Sequence, residues 1–103
     1  MRTALTALAV LLAVALGCGG GGVIIFVNTG TVVSNPSCDQ GRGSFDLLNQ
    51  GGLVLLVVIN SDTVIFNADG MRGRCTDLVA GTHVQVRGPQ HGSQVTAQTV
   101  NVQ

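Results

Sequence analysis

The chain carries neither lysine nor glutamate: its charged residues are five arginines and five aspartates. Lys and Glu cover the solvent-facing side of a helix at little cost in rotamer freedom, so an amphipathic helix has few residues here from which to build its outer face. Val, Ile, Thr and Gly stand in their place: β-branched side chains that pack on a pleated surface, and glycines that turn or bend it. Beyond its N-terminal segment the chain is therefore expected to be all-β.

The apolar pattern divides into five strands. Val23 to Ser34 reads as the first, with Gly30 where a bend or bulge would fall, and Asn35-Pro36-Ser37 ends it. Ser44 to Leu48 alternates, with Phe45 and Leu47 on one face, and Asn49-Gln50-Gly51-Gly52 opens a hairpin. Leu53 to Ile59 is an unbroken apolar run, read as a strand covered on both faces, kinked at Asn60-Ser61-Asp62 before Thr63 to Phe66. Residues 67 to 81 make a long irregular crossing. Thr82 to Gly88 alternates, with Val84 and Val86 inward and His83, Gln85 and Arg87 outward. After a turn at Pro89 to Gly92, Gln94 to Val102 closes the chain, its apolar phase slipping between Ala97 and Val100. This order suits a small five-stranded OB-like barrel, with a small open sandwich as the alternative.

Ahead of the strands, Met1 to Gly17 has the parts of a secretory signal helix: Arg2, an apolar run from Ala4 to Leu16 broken by Thr6, and a small residue before the cut. The run is about 13 residues, short of the roughly 20 that span a bilayer. It ends in Val14-Ala15-Leu16-Gly17-Cys18, which resembles the lipobox of bacterial lipoproteins, although the commonest form has Leu where Ala15 stands. The resemblance implies cleavage after Gly17, diacylglycerol on the Cys18 sulfur and further fatty acylation, palmitate included, of the new amino terminus. It divides the chain into a signal peptide (1–17), a lipidated Cys and Gly tether (18–22) and an OB-like domain (23–103). Gly19 follows the cysteine where Asp would favour the inner membrane, so the resemblance points to the periplasmic face of the outer membrane in the cell envelope. The alternative is an ordinary signal peptide releasing a soluble secreted domain.

Gly19 to Gly22 then form a flexible tether reaching roughly 10 to 13 Å, which would hold the domain close to the membrane. The glycines at 17, 19 and 22 match G-x-G-x-x-G literally, but they follow a signal helix and straddle its cleavage site, so no dinucleotide loop is read there. Past Gly17 the charges are Arg42, Arg72, Arg74 and Arg87 against five aspartates, a balance that argues against a nucleic-acid partner bound through phosphate neutralisation. With Cys18 assigned to lipid, Cys38 and Cys75 remain, and an even pair in an exported domain reads as one disulfide, two free thiols being the alternative.

The segments Gly30 to Ser34, Gly43 to Leu47, Asp62 to Phe66, Asp77 to Gly88 and Val95 to Val100 together resemble a bacterial family of exported β-barrel domains of unknown function, found in tandem copies and in lipoproteins. The resemblance covers most of residues 29 to 103 and rests on turn glycines and inward apolar positions. It implies an OB-like barrel and carries over no catalytic residue. The single copy and the cysteine pair depart from the family's pattern.

Chemistry-bearing patterns are sparse. Gly41-Arg42-Gly43-Ser44-Phe45 fails the nucleophile-elbow pattern at its last place. His83 and His91 have no ligand-spaced partners, and Asn67-Ala68-Asp69-Gly70 has Ile65 where a calcium loop would place its first ligand. Phe26, Phe45 and Phe66 sit among core-facing residues, so they are read as packing rather than as a base-stacking platform. No catalytic, cofactor or metal site is expected; an enzyme whose polar groups converge unforeseeably is the other function class carried. The expectation is a non-catalytic binding or scaffold domain, held to a membrane by lipid. If Cys38 and Cys75 are bonded, Arg42, Arg72 and Arg74 gather on one loop rim near the lipid surface. That rim would be an anion-binding patch for an envelope component or another envelope protein.

Overall fold

The computed structural model describes residues 24–103, so the signal peptide, the lipobox with Cys18 and the glycine tether lie outside the described residues. The described chain is all-β: β1 (Phe26–Val32), β2 (Ser37–Asp39), β3 (Arg42–Asn49), β4 (Val54–Ile59), β5 (Val64–Phe66), β6 (His83–Gly88), β7 (Gln90–His91), β8 (Gln94–Thr96) and β9 (Thr99–Val102). A single 3-10 turn, Cys75–Asp77, interrupts the crossing between β5 and β6.

All nine strands share one sheet in the order β5-β9-β6-β1-β3-β4-β8-β7, with β2 added on β3. Pairing is antiparallel except where β4 meets β8 and β5 meets β9. The expectation of five strands closed as a barrel is thereby corrected. Two expected strands are each broken in two, at Asn60–Thr63 and at Ala97-Gln98, and the short β2 and β7 are additional. No ladder joins the end strands β5 and β7, so the sheet is an open order.

A local turn makes the first break, and two cross-strand bonds bracket the second. Asn60 Oδ1 accepts the Asp62 N–H at 2.8 Å, the self-contained turn that Asn favours. The Ala97 N–H crosses to Val58 O at 2.9 Å, while the Val64 N–H crosses to Gln98 O at 2.9 Å. The slip of apolar phase expected between Ala97 and Val100 is this break: Val95, Ala97 and Val100 are all buried.

The core lies on one face of the curved sheet. Phe45 and Leu47 enter it from β3, Leu55, Val57 and Ile59 from β4, and Val84 and Val86 from β6. Leu78, just past the 3-10 turn, is fully buried and closes the core from within the otherwise irregular crossing. The alternation expected for β6 is observed, with His83 and Arg87 exposed. Two burial expectations are corrected. Val54 and Leu56 are exposed, so β4 is covered on one face only. Phe26 is exposed as well, because β1 begins beyond the end of β3: the register sets Gly30 against Asn49 and leaves Phe26 past it, paired only with Gly88 of β6.

Candidate functional site

Cys38 and Cys75 are joined, with Cα atoms 6.0 Å apart, inside the range a disulfide accepts without backbone movement. The position of Cys38 depends on a hairpin that sequence patterning misses. Gln40 and Gly41 link β2 to β3 with φ of 54° and 79°, the left-handed pair of a two-residue hairpin turn whose twist matches the strands. Gly43 faces Cys38 across that hairpin, and any Cβ at Gly43 would meet the Ser37 carbonyl oxygen. Only glycine lets β2 lie this close to β3, and so brings Cys38 to the crossing.

Cys75 is delivered by the 3-10 turn. The Asp77 carboxylate caps it: Oδ2 accepts the Arg74 N–H at 2.8 Å and the Asn67 side-chain amide at 3.5 Å. Gly70 (φ +84°) and the Met71 N–H, which donates to Asp69 Oδ1 at 2.9 Å, make the preceding Asn67–Gly70 segment a turn. The carboxylates of Asp69 and Asp77 thus each accept the backbone N–H of a residue two or three positions away.

Between hairpin and crossing lies a cleft of about 550 Å³ walled by both cysteines. Arg72, Arg74, Gln40, Asn60, Ser61 and Thr76 line it, and none of its lining residues is an aspartate. Arg72 and Arg74 are exposed, and among the described residues no arginine is held in a salt bridge. Two guanidinium forks beside amide and hydroxyl groups, with no carboxylate among the lining residues, make a surface suited to phosphate or carboxylate oxygens.

Two of the three expected arginines meet here. Arg42 does not line the cleft; it opens β3 as the cross-strand partner of Asp39, one residue past Gly41. The place of the rim is corrected too. β3, 8 residues long, has the cleft at its Arg42 end, whereas β1 enters beside its Asn49 end. At about 3.3 Å per residue the two lie about 23 Å apart along the strand, so the rim is not next to the end of the domain where β1 begins.

The remaining candidates stay apart. His83 projects outward from β6 with Nδ1 3.0 Å from Thr31 Oγ1, and His91 is exposed on β7. Among the described residues, no three His, Cys, Asp or Glu side chains converge as a metal site. Phe45 is buried, Phe66 half-buried and Phe26 exposed, so the three do not form a common platform. No family model, curated protein or solved structure matches this chain.

Proposed function

We propose that the chain is a lipid-anchored, non-catalytic binding domain of the bacterial cell envelope, and that its binding site is the arginine-lined cleft beside the Cys38–Cys75 disulfide. The partner is an anionic envelope component, a polymer or protein surface bearing phosphate or carboxylate groups. The observation that carries this reading is the lining: Arg72 and Arg74 together in one cleft, with no aspartate among its walls. Outside the cleft the described chain carries only Arg42 and Arg87 against five aspartates, so the cleft is where an anion meets the least repulsion.

The anchor rests on the lipobox resemblance at Cys18 and on an apolar run about 13 residues long, too short to span a bilayer. An outer-membrane address on the periplasmic face rests on Gly19. The finer fold reading is an OB-like strand order in an open sheet, akin to the exported domains of unknown function that the motifs resemble. It is supported by chain continuity: β4 with β5, and β8 with β9, are each one segment, and β8 pairs β4 while β9 pairs β5 and β6.

Two measurements test the function. Replacing Arg72 and Arg74 together by Gln removes salt-sensitive binding to anionic envelope glycans, whereas Arg42→Gln leaves most of it, because exposed charge contacts weaken as screening grows. Equal binding by wild type and the double variant overturns the site. Cys18→Ser abolishes fatty-acid labelling and membrane fractionation; a Cys18→Ser protein that still fractionates with membranes overturns the anchor. Co-migration of wild type with the inner membrane on a density gradient overturns the outer-membrane address.

A further inference from the structure

We propose that the end of the sheet where β1 begins is a membrane-contacting pole, its occupant the interfacial region of the bilayer; this rests on the lipid-anchor reading. Ile24, Ile25, Phe26 and Val27 are all exposed, Ile24 at 74%. The Asn49–Leu53 hairpin turn lies at the same end: the Gln50 N–H donates to Thr29 O at 3.1 Å, and Val27 to Thr29 share a shallow cleft with Asn49 to Gly51. That turn ends in Leu53, 64% exposed, followed by the exposed Val54. A small domain rarely leaves so many large apolar side chains together in water unless something covers them.

Two observations name the occupant. The first is reach. Five residues, Gly19 to Val23, separate Cys18 from Ile24, and fully extended they carry the chain at most about 20 Å. A lipid on Cys18 therefore holds this end of the domain against the headgroups. The second is charge. None of the five aspartates falls within residues 24–29 or 49–54, while the exposed Arg87 stands directly opposite Val27 on β6. Apolar side chains flanked by a cation, with no carboxylate among them, are what an interfacial contact with anionic lipid requires. The arrangement also turns the arginine-lined cleft away from the leaflet, toward components beyond it.

The chain contains no tryptophan, so Phe26→Trp, Leu53→Trp and Thr76→Trp each install a sole fluorophore, all at exposed positions. The acylated full chain is reconstituted in phosphatidylethanolamine–phosphatidylglycerol vesicles containing acyl-brominated lipid. Interfacial side chains sit roughly 5 to 10 Å into the headgroup–acyl boundary, so Phe26→Trp and Leu53→Trp should lose roughly half their emission or more, and Thr76→Trp none. Protein that co-sediments with vesicles while Phe26→Trp and Leu53→Trp remain unquenched overturns the pole and leaves the anchor standing. Quenching at all three positions overturns the orientation. Failure to co-sediment overturns pole and anchor together.

Discussion

Thr63 shows how much of this architecture hangs on single polar atoms. Its hydroxyl donates to Ala97 O at 2.6 Å and accepts the Asn60 N–H at 3.0 Å, so one side chain ties the break between β4 and β5 to the break between β8 and β9. Thr63→Val keeps the shape and leaves both backbone groups without that partner in a half-buried place. An unsatisfied group of this kind costs about 1 to 3 kcal/mol. The expected outcome is a lower urea midpoint with an unchanged slope; a variant as stable as wild type would contradict the assignment. Thr63 also lines the cleft, so loosening it should weaken anion binding beyond its effect on stability.

Among the elements, the β2–β3 hairpin and the 3-10 turn matter most, because the disulfide joins them and the cleft opens between them. The bond closes a sequence separation of 37 residues. In the chain-entropy account such a loop contributes about 4 kcal/mol, a large share of what a domain of this size can hold. Cys38→Ser combined with Cys75→Ser is expected to lower unfolding free energy by about that amount, read by denaturant titration. A loss confined to a few tenths would mean that the hairpin and the Leu78-capped crossing hold themselves in place.

The legibility of these elements followed their physics. Strands with one face in the core announced themselves by alternation, as β3 and β6 did through Phe45, Leu47, Val84 and Val86. β2 did not, since its three residues, Ser37 to Asp39, carry no apolar alternation, and Gln40-Gly41 is a weaker turn signal than Asn-Gly. β4 misled in the other direction. Its unbroken apolar run suggests two covered faces, but a run of that kind cannot distinguish a doubly buried strand from one whose outer face is apolar and exposed.

On the scale of the whole molecule the sheet has two unlike ends. One carries Ile24, Phe26, Val27 and Leu53 exposed; the other carries the disulfide and the cleft with Arg72 and Arg74. Sequence spacing alone could place Arg72 and Arg74 near Cys75, and the bond to Cys38 then brought Gln40 and Gly41 to them. It could not show that Arg42 would leave the group, because that depends on the hairpin register setting Arg42 against Asp39. Nor could it find Asn60 and Ser61, which reach the cleft through the strand break and read in sequence only as a turn. The account stands or falls on whether that cleft takes an anion. Amide chemical shifts of the chain from residue 19 onward, followed while inorganic phosphate is added, test this most directly. The account predicts saturable changes confined to Gly41, Ser61, Gly73 and Thr76, weakened by salt and absent when Arg72 and Arg74 are both replaced by Gln. No saturable change, or the same change in the double variant, would contradict it.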